Sequence, residues 1–267
     1  MAIGVDMEIG LSSYSYRWAI LSKKMDLRGF LDRSLSMDLS CVQICENLPF
    51  HLVSPAERMA IRDEYASRMR IETGFRGHDP KQLQRALEAT AELGGTMMRL
   101  VVEEVDEEEL DIDKAIADLK SVIPLLDKLR IDLSLENHFV LKPVDLVAIL
   151  KALDSPRVSI CFDCFNSIVQ NIGTYQALED VVQHISRIHV KDVQIRRVGT
   201  GFLISGCPMG EGILELETVQ AILATHGKAP SYYLEGWIDQ LETEEETLAF
   251  EDKVNNDGIN YLRRNIK

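Results

Sequence analysis

Four stretches of this chain end an apolar run on a residue able to hold a metal ion or move a proton. LSLENHFV carries Glu136, Asn137 and His138, and ICFDCF carries Asp163. RIHVKD carries His189 and Lys191, and YYLEGW carries Glu235 and Trp237. The steps between them are regular: Glu136 to Asp163 is 27 residues, Asp163 to His189 is 26, and His189 to Glu235 is 46. The last step is one such interval plus about 20 residues, and the extra length falls in VQIRRVGTGFLISGCPMGEG, which reads as a lid loop. Three carboxylates and an imidazole brought together repel and raise one another's pKa values. A divalent cation removes that conflict, and three oxygens with one nitrogen suit Mn2+ foremost, with Mg2+, Co2+ or Zn2+ as alternatives.

Such residues converge only if the chain places them at corresponding points of a repeated unit. Apolar, β-rich runs recur at EIGLSSYS (8–15), CVQICENL (41–48), RMRIETGF (68–75), TMMRLVVE (96–103), IDLSLENH (131–138), VSICFDCF (158–165), ISRIHVKD (185–192) and SYYLEGW (231–237). Helical patterns lie between them, among them PKQLQRALEATAELGG, KPVDLVAILKAL, YQALEDVVQHI, LELETVQAIL and TEEETLAFEDKVNNDGINYLRR. A further one, DEEELDIDKAIADLKSVIPLLDKL, is expected to kink or break at Pro124. Eight alternations without a Pro/Gly/Ser-rich linker predict an α/β fold, a single-domain (β/α)8 TIM barrel over residues 1–267. No GxGxxG follows the first run and no GxxxxGK[ST] occurs, which argues against a doubly wound nucleotide-binding sheet. In a barrel the chemistry lies at the C-terminal strand ends. Period-two alternation puts Ser134, Glu136 and His138 on one face, with Asp163, His189, Lys191, Glu235 and Trp237 on the matching faces of their strands.

Composition sets the remaining bounds. With 43 acids against 29 bases the net charge is −14, which repels nucleic acid and anionic membrane surfaces. Hydrophobic residues, at 46%, suffice for a full core, and no run approaches the length of a membrane span. The opening MAIGVDMEIG lacks the basic-then-apolar order of a secretory leader. Five cysteines without regular spacing fit a reducing cytoplasm rather than a disulfide framework. Cys161 and Cys164, three apart on one strand, face opposite sides and read as buried small residues.

LENH, CFDCFNS, RIHVKD, PMGEG and YYLEGW, in this order, resemble the successive metal-site segments of the xylose isomerase-like TIM-barrel superfamily, the sugar phosphate isomerase/epimerase family. The resemblance covers nearly the whole chain. It implies one divalent metal held by Glu136, Asp163, His189 and Glu235, with Glu136 and Glu235 as the acid/base pair of an isomerase or epimerase acting on a sugar or polyol carbonyl through a stabilised enolate. Asn166 stands where the family's endonucleases and ketose epimerases carry a histidine. The Glu-x-His of Glu136 and His138 is more similar to the inosose and dehydroshikimate dehydratases and to a group cleaving oxidised C-glycosides. A dehydratase or lyase using His138 as acid/base is therefore the alternative, and a metal-binding, non-catalytic partner subunit a further one. Lys191, Asn166, Glu46, Trp237 and Arg197 are the expected substrate contacts. The expected partner is a small carbohydrate or polyol, with a homo-oligomer or partner subunit left open.

Overall fold

The apolar runs become short parallel strands because each is rich in β-branched and aromatic residues and is buried on both faces, as barrel strands are. The computed structural model describes residues 8–267; most of the opening stretch, from which the absence of a leader was read, lies outside them. In chain order the strands are β1 (Ile9–Ser12), β2 (Cys41–Ile44), β3 (Arg70–Arg76), β4 (Met97–Val101), β5 (Asp132–Glu136), β6 (Val158–Asp163), β7 (Ile185–Val190), β8 (Asp192–Val198), β9 (Gly201–Cys207) and β10 (Ser231–Leu234). Eight of them close a parallel barrel in the order β1-β10-β7-β6-β5-β4-β3-β2. Around it lie α1 (Arg17–Leu21), α2 (Leu27–Ser36), α3 (Pro55–Tyr65), α4 (Pro80–Glu92), α5 (Ile112–Leu129), α6 (Pro143–Leu153), α7 (Thr174–Val181), α8 (Leu216–Thr225) and α9 (Glu244–Asn265). The fold is a single-domain TIM barrel.

Local chemistry starts the helices where it should. Ser54 and Asp79 accept backbone N–H bonds one turn ahead of α3 and α4, and Pro55 and Pro80 occupy the first turn, where a missing N–H costs nothing. Two expectations need correction. Pro124 does not break α5, which runs unbroken from Ile112 to Leu129. Ala115, Leu119, Val122 and Leu126 bury one face against the barrel, and that packing outweighs one lost backbone bond. The presumed lid loop contains a regular antiparallel hairpin, β8 paired with β9 from Asp192↔Cys207 to Val198↔Gly201. Its signal is present in the sequence: Gly199-Thr200 separates two β-rich runs, and Gly199 has a φ of 58°, the left-handed conformation tight hairpin turns require.

Register delivers the strand ends to one level. Glu136 pairs with Cys161, Asp163 with His189, and Tyr233 with His189. A register shift between Ile160 and Cys161 skips Ser186, so Cys161 pairs with Arg187 and the inward faces of β6 and β7 stay in phase.

Candidate metal centre

Glu136 ends β5, Asp163 ends β6, His189 lies near the end of β7, and Glu235 follows β10, its N–H bonded to the Val190 carbonyl at 2.9 Å. One donor atom from each lies within 4.8 Å of all the others, and all four side chains are buried. His189 Nδ1 is the hub, 3.2 Å from Glu235 Oε2, 3.6 Å from Glu136 Oε1 and 3.9 Å from Asp163 Oδ2. Its other nitrogen, Nε2, donates to Gln43 Oε1 on β2 at 2.7 Å, which turns the Nδ1 lone pair toward the carboxylates.

Electrostatically the cluster is incomplete. Burial works against charge on His189, yet Cys161, Glu235 and Glu136 around it raise it well above the ordinary imidazole value. Burial drives the Asp163 carboxyl up, with the Lys191 charge opposing it. Burial also pushes Glu136 up, but Arg99 and His189 outweigh it and hold Glu136 well below the usual carboxylate range. Glu235 is lowered too, His189 and Lys191 outweighing burial. His189 Nδ1, Asp163 Oδ2 and Glu136 Oε2 have no well-aligned hydrogen bond. Hard oxygen donors and one imidazole, several of whose buried atoms lack a well-aligned hydrogen bond, are the donor set of a divalent ion.

Neighbouring side chains fix the geometry. Asn137 donates to the Asp163 carbonyl at 2.9 Å and accepts from the Asp163 N–H at 2.7 Å, clamping the ends of β5 and β6 together. Asn166 donates to Glu136 Oε1 at 3.0 Å and accepts from Lys191 Nζ at 3.0 Å. Lys191 is fully buried, 2.8 Å from Asp163 Oδ2 and 3.4 Å from Glu235 Oε1, with its ammonium 3.7 Å from the centre of the Trp237 ring. It does not pair with Asp192, whose carboxylate instead accepts the N–H groups of Val193, Gly210, Gly212 and Leu214. His138 lies beyond the end of β5, and its Nδ1 donates to the buried Glu103 carboxylate at 2.7 Å.

Asn166, Lys191 and Trp237 thus gather at the cluster, and Glu46 joins it through Arg99. Arg197 does not: it is exposed on the hairpin and donates to the Gly199 carbonyl. Alternation gave Arg197 no reach, since β8 carries it away from the barrel. Arg99, Gln43 and Glu103 escaped the sequence reading. Arg99 had a signal, an arginine inside the apolar run TMMRLVV, as did Gln43 inside CVQIC.

The xylose isomerase-like TIM barrel family model matches residues 75–264. The chain is 27% identical over 262 residues to 3-oxo-isoapionate decarboxylase of Pectobacterium atrosepticum, covering 96% of this chain and 95% of that one. Among solved structures, D-psicose 3-epimerase in the presence of D-fructose superposes with a TM-score of 0.74 at 13% identity, over 96% of this chain and 98% of that one. A xylose isomerase-like TIM barrel protein from Mycobacterium smegmatis in complex with magnesium superposes at 0.69 with 14% identity, over 97% of this chain and 100% of that one. At these identities the structural likenesses speak for the fold. Among the described residues no helix is long and apolar enough to cross a membrane.

Proposed function

The chain belongs to the xylose isomerase-like TIM barrel family, and from that premise we propose that it is a divalent-metal-dependent lyase that decarboxylates a carbohydrate-derived 3-oxo acid. One observation carries the choice of reaction: Arg99 and Lys191, both fully buried, are ion-paired to the cluster's carboxylates, at 3.0 Å to Glu136 and 2.8 Å to Asp163. An epimerase or isomerase must first remove a C–H proton, and Glu136 and Glu235 would be its bases. A carboxylate held by a guanidinium and by Asn166 is a poor base. Decarboxylation needs no base for that step. The bond between the carboxyl carbon and the α-carbon breaks, its electron pair enters the adjacent carbonyl as an enolate, and CO2 departs. The name of the sequence relative, a decarboxylase of a 3-oxo compound, agrees with this reading.

Glu136, Asp163, His189 and Glu235 would hold the ion, which supplies a Lewis acid for a carbonyl oxygen that becomes negative. Lys191 places a desolvated positive charge beside the same region and steadies the enolate. Trp237 covers the Lys191 ammonium and helps to keep water from it. His138, oriented by Glu103, returns a proton to the α-carbon after CO2 has left. Asn166, bridging Glu136 and Lys191, keeps both at their working distance.

Isomerisation or epimerisation remains the second reading, supported by Glu136 and Glu235 both reaching the cluster. The two separate in D2O. A panel of 3-oxo sugar acids and of ketoses, followed by NMR with the Mn2+-loaded protein, is expected to give CO2 and one deuterium at the former α-carbon of an acid. Deuterium exchange into ketoses with no CO2 from any acid would overturn the decarboxylase and favour the second reading.

A further inference from the structure

Arg99 is the largest fully buried side chain among the described residues, and β4 offers no reason for a guanidinium there other than what it meets. Its Nε lies 3.0 Å from Glu136 Oε2, so one edge faces a carboxylate of the metal cluster. Its other edge faces Glu46, on the segment after β2, with Nη2 3.0 Å from Oε2 and Nη1 3.4 Å from Oε1. That is the two-pronged arrangement by which arginine grips a carboxylate. The neighbouring strand leaves room for it: Gly74 pairs with Arg99, and a Cβ there would stand 3.2 Å from the guanidinium carbon. A side chain at position 74 would press on the guanidinium and on Cys45 Sγ, and one of them would have to give by a few tenths of an ångström.

Besides the Phe75 carbonyl, which accepts from Nη1 at 3.4 Å, Arg99 has two carboxylate partners, and they differ. Glu136 is buried, whereas the Glu46 side chain is 21% exposed and belongs to a turn between β2 and α3. Of the two carboxylates, Glu46 is the one with part of its side chain in water, and it stands on a turn rather than at a strand end. Charge points the same way. Glu136, Asp163 and Glu235 contribute three negative charges, and Arg99 and Lys191 two positive ones. A divalent ion in the cluster brings the sum to one net positive charge, and Glu46 cancels it. With Glu46 swung out to solvent the site lacks one negative charge, which a monoanionic substrate supplies.

We infer that Arg99 is the receptor for the carboxylate of the substrate, and that Glu46 occupies it in the free protein as a built-in substitute which the substrate displaces. The inference deepens the proposed function and rests on that reading, since it makes the substrate an acid rather than a neutral sugar. It gives Arg99 two tasks, orienting the carboxyl group and weakening Glu136 as a base. It makes Glu46 a competitor rather than a contact. A neutral ketose would leave Glu46 in place and gain nothing from Arg99.

The test uses two non-reacting probes that share a vicinal diol and differ in one carboxylate: erythronate and erythritol. Their binding to the intact Mn2+-loaded protein is measured by titration calorimetry, with metal content recorded for every variant. Erythronate is expected to bind about tenfold more tightly than erythritol. Glu46→Gln should tighten erythronate a further threefold or more, on the order of the competition removed, and leave erythritol unchanged. Arg99→Lys should weaken erythronate about tenfold and spare erythritol. Should Arg99→Lys not fold, Glu46→Gln decides alone, because Glu46 lies on a turn with its side chain partly exposed. A merely structural ion pair predicts the opposite sign, weaker or equal erythronate binding in Glu46→Gln, and that result overturns the inference. Erythronate binding as described without CO2 release from any 3-oxo acid would remove the decarboxylase and keep the receptor. CO2 release with an unchanged probe ratio in Glu46→Gln would do the reverse.

Discussion

The barrel interior holds two charged layers built from similar residues, and they settle their charges differently. In the lower layer Glu72 accepts from Arg187 through Nε at 2.9 Å and through Nη2 at 2.6 Å, and Arg70 lies 3.1 Å away. Ser134, Ser159 and Ser186 close a hydroxyl triangle beside it, with separations from 2.7 to 3.2 Å. Neither Glu72 oxygen lacks a partner. Two residues further along β7, at His189, the upper layer gathers three carboxylates around an imidazole and leaves Asp163 Oδ2, Glu136 Oε2 and His189 Nδ1 without a good hydrogen bond. A layer that neutralises itself is structural. A layer that does not must take a counter-charge from outside, and that is the physical content of a binding site.

This contrast can be broken by experiment. The largest expected effect is on turnover: Glu136→Gln should lower the rate of CO2 release by about 10³-fold or more, with little change in melting temperature. Glu72→Gln should do the opposite. It leaves the half-buried Arg187 without its counter-charge, at a cost of about 2–3 kcal/mol in chemical denaturation, while the rate per folded molecule stays the same. If both variants behaved alike, the division into layers would be wrong. Metal removal sharpens it further. Wild type and Glu72→Gln should each gain about 2.7 kcal/mol of stability when Mn2+ is raised to about 100 times its dissociation constant, and Asp163→Asn should gain none.

The smallest effect concerns a third way of burying a carboxylate. Among the described residues Glu251 on α9 pairs with no cation and belongs to no carboxylate cluster. It accepts the backbone N–H groups of Trp18 at 2.7 Å and Ala19 at 3.0 Å. Burial pushes it from an ordinary value of 4.5 up to about 7, the two backbone donors opposing. A carboxyl raised in the folded state binds its proton more tightly there than in the unfolded chain. Its contribution is therefore whole below pH 4.5 and is lost as pH rises toward about 7, flattening above. Stability measured across that window should fall with pH in wild type and fall less steeply in Glu251→Gln; identical slopes would remove the assignment.

How much of this was legible depends on whether periodicity or long-range contact made the feature. Strand ends at equal intervals put Glu136, Asp163, His189 and Glu235 in phase, because alternation along a strand and repetition of the β/α unit are both local rules. Arg99 and Glu46 were different. Each lies on another strand unit, and that Glu46 and Glu136 share the Arg99 guanidinium is a fact of tertiary packing that no local pattern contains. Lys191 was read as a residue of the site, but its partners Asp163 and Glu235 come from strands on either side of β7. Arg197 went the other way: expected as a substrate contact, it stands exposed on the β8–β9 hairpin, a pairing its position in a long loop did not reveal. Pro124 shows the same limit, since a local rule against proline in helices yields to the packing of Leu119, Val122 and Leu126.

Whether the upper layer holds a metal ion is decided by the metal content of the purified protein. Elemental analysis of wild type, Glu72→Gln and Asp163→Asn after loading with Mn2+ and gel filtration should find about one ion per chain in the first two and none in the third. An unchanged ion content in Asp163→Asn would show that the upper layer is not where the ion sits, and the account built on it would fail.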